Sequence, residues 1–287
     1  MQAELALLNV KKQYKSVLAL RDFSYTFTPG VYGILGPNGA GKSTMMNIIT
    51  DNLNLTGGQV LYNGQEIHTM GKSYRSHLGY MPQQQEVYEE LTLNRFLFYM
   101  ASLKGLSKAQ AKEEIDHLCE MVNLTPQRRQ RMGQLSGGMK QRALIVQALL
   151  GNPDILIMDE PTAGLDPKER IRIRNLISQV ALDKIVLIST HVVPDIEFIS
   201  KEVLFLKKGE LVAHGDVPTL CEQLDGRVYD IVADPQQVQE LEQKYKCSAL
   251  TSFGSQVKVR VITSEKPQEP CEEVKATLED LYLDIFE

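Results

Sequence analysis

Three runs in the middle of the chain are apolar at nearly every position: "DILIMDE" (154–160), "KIVLIST" (184–190) and "EVLFLKKGE" (202–210). Runs of this kind predict strands buried on both faces of a parallel sheet. Between the first two lies "DPKERIRIRNLISQVAL", whose Ile171, Ile173, Leu176, Ile177 and Val180 keep a helical period. Strands alternating with helices predict a sheet covered on both sides. Near the N-terminus, "ELALLNV", "FSYTFTPG" and "VYGILG" read as strands broken by turns. Residues 91–122 are helical in pattern and break at "KGLSK" (104–108), where Ser107 is placed to cap a second helix. A separate module is expected towards the C-terminus. There "VYDIVA" and "QVKVRVIT" read as strands, and "DPQQVQELEQKY" opens a helix at its Asp-Pro. "CEEVKATLEDLYLDIF" then sets Val274, Leu278, Leu281 and Ile285 on one helical face. The expected domains are 1–222, with a helical insertion over about 84–145, and 225–287.

Composition narrows the function classes. A formal charge of −5 over 287 residues argues against a nucleic-acid binder driven by bulk charge. The four cysteines, Cys119, Cys221, Cys247 and Cys271, are scattered and form no CxxC pair, which predicts neither a zinc site nor a disulfide framework. No apolar run approaches the ~18 residues that a membrane span needs, and "MQAELALLNVKKQ" is a poor signal peptide. The expectation is a cytoplasmic protein whose work at a membrane, if any, needs another subunit to do the spanning.

Chemistry enters at "GILGPNGAGKSTMMNII" (33–49), a strand, a glycine-rich loop and a helix that satisfy GxxxxGK[ST]. Glycines let successive backbone N–H groups face a phosphate, so Gly36, Pro37, Asn38, Gly39, Ala40, Gly41, Lys42, Ser43 and Thr44 are expected to hold an NTP. Lys42 would reach the β and γ oxygens, and the Ser43 hydroxyl would ligate Mg²⁺. "ILIMDEP" (155–161) sets two acids at the C-terminal end of a buried strand, where ligands of open α/β sheets bind. Asp159 is expected to hold Mg²⁺ through water, and Glu160 to polarise the attacking water as general base. Taken alone, either acid is an ordinary loop start. The phosphate loop is what gives the pair meaning.

A second anion site then needs explaining. "QLSGGMKQRALIVQALL" (134–150) opens with a serine and two glycines and runs on as a helix, leaving outward backbone N–H groups at its start. "LSGGMKQR" resembles the signature motif of the ABC-type ATPases, and the remaining motifs fall in that family's order. "GYMPQ" (79–83) resembles the Q-loop, "AGLDP" (163–167) the D-loop and "STH" (189–191) the switch histidine, over residues 1 to about 220. The resemblance implies a P-loop NTPase (RecA-like) parallel sheet, an antiparallel β subdomain, a helical insertion and a small α+β C-terminal module. It implies head-to-tail pairing of two nucleotide-binding domains, so that Ser136, Gly137 and Gly138 of one copy hold the γ-phosphate bound by the other. It also assigns Gln83 to Mg²⁺ and the γ-phosphate, His191 to the γ-phosphate or attacking water, Asp166 to the nucleotide and Tyr14 to the adenine. One departure stands out: Met139 replaces the glutamine common at the fifth signature position, and the expectation is altered ribose-side contacts with activity retained.

What the resemblance implies further is the ATP-hydrolysing subunit of a transporter, with ATP and Mg²⁺ as cofactors and a separate integral membrane subunit as partner. The ending "ATLEDLYLDIF" resembles the C-terminal extension of exporter-type subunits. Cargo, direction, and identical or different copies in the dimer stay open. The rival is a soluble ABC ATPase such as an iron–sulfur assembly ATPase, which would not need that module. A GTPase lacks support because no NKxD motif occurs. "QQEVYEELTLNRFLFYM", just after Gln83, is expected to form a groove for a helix of the membrane partner, with Val87, Tyr88, Leu91 and Leu93 beside Glu86, Glu89 and Glu90.

Overall fold

The structure, a computed structural model, describes residues 2–83 and 88–287, and every count below refers to those residues. Glu86 and Val87 of the expected docking groove therefore lie outside the described residues. The chain opens with β1 (Leu5–Tyr14), β2 (Val17–Phe27) and β3 (Gly30–Leu35), then α1 (Lys42–Ile49). β4 (Gly57–Tyr62) and the two-residue β5 (Gln65–Glu66) complete an antiparallel sheet ordered β2-β1-β4-β5. Two short helices, α2 (Ile67–Met70) and α3 (Lys72–Ser76), lead to β6 (Leu78–Met81).

The helical insertion follows as α4 (Leu93–Leu103), α5 (Lys108–Met121) and α6 (Gly137–Leu149). Each begins where a side chain satisfies an orphan N–H: Thr92 for α4, Ser136 for α6, and for α5 a reciprocal box between Ser107 and Gln110. β7 (Ile155–Asp159), α7 (Pro167–Val180), β8 (Ile185–Ser189), α8 (Val193–Glu197), β9 (Glu202–Lys207) and β10 (Glu210–Gly215) come next. The main sheet is ordered β10-β9-β3-β8-β7-β6. β3, β8, β7, β6 and β9 run parallel, and every residue of β7 and β8 is buried, as the continuous apolar runs require.

The chain divides into two compact units, Met1–Val212 and Ala213–Glu287. The division falls before the boundary expected at 222–225, so α9 (Val217–Glu222) counts with the second unit. That unit continues with β11 (Val228–Ala233), α10 (Val238–Lys244), β12 (Lys246–Phe253), β13 (Gln256–Ile262), β14 (Cys271–Glu273) and α11 (Leu278–Phe286). Its antiparallel sheet is ordered β12-β13-β11-β14, over a small core that includes Tyr229, Ile231, Leu241, Val259 and Val261.

Four local readings are corrected. "EVLFLKKGE" is not one strand: Lys208 and Gly209 take positive φ (50° and 84°) and turn the chain between β9 and β10. The helix expected to open at Asp234-Pro235 starts at Val238, because Asp234 and Gln237 close a turn on each other, N–H to side-chain oxygen at 3.1 Å. Val274 is not on the terminal helix, since its N–H donates to the Val228 carbonyl (3.0 Å) at the sheet. α11 begins only at the box formed by Thr277 and Asp280. β6, an edge strand of four residues, was not anticipated.

Candidate active site

β3 ends at Leu35, and the glycine-rich loop carries the chain into α1. Close approach demands two of its glycines: a Cβ at Gly36 would lie 2.3 Å from the Leu206 carbonyl oxygen, and one at Gly41 2.6 Å from that of Ala19. Gly41 also holds φ at 109°, which a side chain would strain. The loop is braced from behind, with the Gly209 N–H on the Ala40 carbonyl and the Arg21 N–H on that of Gly209, both at 2.9 Å. As N-cap of α1, Gly41 has no side chain to offer, so the first-turn amides, Lys42, Ser43 and Thr44, are left for an anion. Pro37, Asn38, Gly39 and Ser43 are exposed. Lys42 folds over the loop, its Nζ donating to the carbonyls of Gly36 (2.5 Å) and Pro37 (3.2 Å). Burial lowers the proton affinity of Lys42, while the carboxylates of Glu160 and Asp159 act the other way.

β7 delivers those two carboxylates. Asp159 is the last residue of the strand, pairs in register with Ser189 of β8 and is buried. Desolvation pushes its pKa up, and a hydrogen bond from the Ser189 side chain offsets part of this. Glu160, also buried, takes φ 53°, a conformation that non-glycine residues rarely adopt and that clusters at functional sites. Its own N–H donates to the Ser189 carbonyl (2.8 Å), which turns the side chain towards the exit of β8. There Oε1 accepts the His191 backbone N–H (3.1 Å) and meets His191 Nδ1 at 2.7 Å, while Oε2 accepts the Thr190 hydroxyl (3.2 Å). With Glu160 ionised, Nδ1–H is the donor, which assigns the tautomer and leaves Nε2 of the exposed imidazole to accept.

The donor set suits Mg²⁺ held jointly with a triphosphate. Among the described residues no group of three or more His, Cys, Asp or Glu could hold a metal unaided. Asp159 and the Ser43 hydroxyl instead offer the one or two oxygen ligands that Mg²⁺ takes from a protein when phosphates supply others. A cation beside Asp159 would relieve the burial of its charge.

The other expected residues are spread around this centre. Tyr14 closes β1, is about half exposed and lies with Lys12 Nζ 5.1 Å over its ring. Gln83 is exposed two residues beyond β6. Ser136 and Gly137 are exposed at the start of α6, where Ser136 Oγ accepts the Met139 N–H at 3.3 Å. A side chain at Gly137 would meet only open space, whereas one at Gly138 would press on Glu169 at 3.0 Å. Asp166 caps α7, its carboxylate accepting the Glu169 N–H at 2.9 Å. Ser189 and Thr190 contact the acidic pair directly, yet hydroxyls at a strand end are too ordinary for the sequence to single them out.

Comparison with known proteins places the chain in a family. Residues 20–163 match the family model described as ABC transporter. An uncharacterized ABC transporter ATP-binding protein of Bacillus subtilis (strain 168), YxlF, is 34% identical over 86% of this chain and 82% of its own. The Nod factor export ATP-binding protein I of Rhizobium sp. (strain N33) is 32% identical over 83% of this chain and 80% of its own. A dimeric ATP-binding cassette, solved in a post-hydrolysis state bound to ADP and Pi, superposes with a TM-score of 0.67 at 28% identity over 74% of this chain and 98% of that one.

Proposed function

The chain belongs to the ABC transporter family as an ATP-binding subunit and ATPase, and from that premise we propose that it powers an exporter. In this reading two copies pair head-to-tail around two ATP molecules, and closure of the pair acts on a separate membrane subunit. Export rests on similarity to the Nod factor export protein and on the C-terminal unit. No described helix is long and apolar enough to cross a membrane, and this reading gives the crossing to the membrane subunit. Pairing draws support from the dimeric relative and from the exposed amides at Ser136 and Gly137, an anion site that opens to solvent.

The observation that carries the catalytic reading is the rung between Glu160 and His191 beside the phosphate loop. Lys42 and the first-turn amides of α1 bind the phosphates, and Ser43, Asp159 and Gln83 would hold Mg²⁺, which would compensate phosphate charge. Gln83 and Asp166 attend the nucleotide, and Tyr14 stacks on adenine. Glu160 takes the proton of the attacking water, with Thr190 and the His191 N–H fixing its carboxylate. The imidazole of His191, held through Nδ1–H by Glu160, leaves Nε2 to accept a hydrogen bond from the attacking water.

Docking of the membrane subunit is assigned to the insertion. Tyr88 and Tyr99 stack edge to face at 5.4 Å, both exposed. Leu93 of the expected groove is buried and cannot line it, while Thr92, Arg95, Arg128 and Arg129 of the same insertion line a cavity of about 660 Å³. The catalytic reading is tested with Glu160→Gln: it should bind ATP as before, lose at least ~10²-fold in turnover, and accumulate as an ATP-bound dimer in size-exclusion chromatography. Wild-type turnover would remove Glu160 from this role.

A further inference from the structure

The exits of β7 and β8 are joined twice. The first rung is the one already described, from Glu160 to Thr190 and His191. The second lies further along both segments: the Thr162 hydroxyl donates to Asp195 Oδ2 at 2.5 Å, a short hydrogen bond. Both residues are buried, Thr162 at 2% and Asp195 at 5% exposure. A buried carboxylate is costly unless something compensates it, and here the partner is a neutral hydroxyl, with no cation paired to Asp195 among the described residues. Fold stability alone would favour an apolar pair of the same shape at this place.

The position of the bond gives it a use. Thr162 stands two residues beyond Glu160, whose left-handed backbone must be held in place by its surroundings. The Ala163 N–H donates to the Glu160 carbonyl (3.2 Å) and the Leu165 N–H to that of Thr162 (3.3 Å), so the turn that ends at Asp166 is anchored on these two residues. On the other side, Asp195 belongs to α8, four residues beyond His191, and its N–H donates to the Val192 carbonyl (3.0 Å). α8 is in turn held to α7, because Arg174 donates to the Pro194 carbonyl at 2.9 Å. The Thr162–Asp195 bond therefore closes a ring through Glu160, His191 and the start of α7. Loss of this second tie frees the first to slip.

We propose that Thr162 and Asp195 are positioning residues for ATP hydrolysis, which lock the Glu160 carboxylate and the His191 imidazole in mutual register and transmit the position of the Asp166 turn to them. The proposal rests on the assignment of Glu160 and His191 made above. Among the described residues neither side chain is bonded to the phosphate loop, so the effect falls on turnover and leaves nucleotide binding alone.

The test uses the full chain with Thr162→Val, Thr162→Ser, Asp195→Ala, the Val/Ala double variant and Glu160→Gln, reading steady-state ATPase kinetics, ATP binding and thermal unfolding. Thr162→Val, which keeps the shape and removes the donor, should lower kcat about tenfold with ATP affinity within twofold of wild type. Thr162→Ser restores the hydroxyl and should return most of the rate, an outcome that a merely structural methyl contact would not produce. The double variant should lose no more than the worse single variant, as members of one bond do. Wild-type kcat in Thr162→Val, an equal defect in Thr162→Ser, or additive losses in the double variant would overturn the proposal while Glu160→Gln remains inactive. Turnover retained by Glu160→Gln would overturn the underlying assignment and this proposal with it.

Discussion

Lys104 shows what a single partly buried charge does in this fold. It follows α4 as C-cap, and its Nζ donates to the carbonyls of Leu78 (2.8 Å) and Ala148 (3.5 Å), tying the insertion to β6 and to the end of α6. Burial lowers its pKa to about 8, against a smaller opposing pull from Glu114. Between that value and the free-lysine value of ~10.4 the unfolded chain holds the proton more tightly than the folded one, so stability rises with pH there. Compared with Lys104→Met, the wild type should gain about 2 kcal/mol in urea unfolding between pH 7 and pH 9.5. A pH-independent difference between the two proteins would refute the buried-charge account. At the same scale Glu160 needed its neighbours to be understood: the acid after a strand was legible, but φ 53° and the bonds to Thr190 and His191 were not.

Among the elements, α11 ties sequence to packing most directly. Asp280, in the "LED" of the chain ending, is 1% exposed and serves twice. It closes the helix start with Thr277 (N–H at 2.8 Å, hydroxyl at 2.9 Å), and it pairs with Arg260 of β13 (Nη2 at 2.8 Å) and the Ser248 hydroxyl (2.6 Å) of β12. Burial works against its charge, yet the bonds from Arg260, Ser248 and Thr277 outweigh it and hold the pKa below the usual carboxylate range. Removing one partner of a buried pair strands the other, at a cost of roughly 3–5 kcal/mol. Asp280→Ala should accordingly raise hydrogen exchange throughout α11 and β12, while ATP affinity stays within twofold of wild type. Unchanged protection in α11 would mean that Leu278 and Leu281 alone hold the helix. Sequence periodicity carried this helix too far back, to Val274, because a period of apolar residues cannot distinguish a helix from a strand edge that happens to precede it.

Over the whole molecule the proposed reading gives anions two places, the phosphate loop braced by Gly209 and the exposed start of α6 at Ser136 and Gly137. If they serve one nucleotide across two copies, complementation follows. Ser136→Arg and Lys42→Ala chains, each unable to build a competent site with its own copies, should together form a dimer with one competent site, seen as ATP-dependent pairing of the mixture. Absence of that mixed dimer would break the head-to-tail model. The sequence by itself determined the parallel core, the phosphate loop, the acidic pair at a strand end and the capped helices of the insertion, because each rests on local spacing and on side-chain types within one turn or strand. Only the tertiary structure decided that His191 stands on Glu160, that Thr162 bonds Asp195 and that β14 borders β11. These depend on the register of strands distant along the chain, Asp159 against Ser189 and Ile231 against Cys271, and such register is set by packing in three dimensions and has no local period to read.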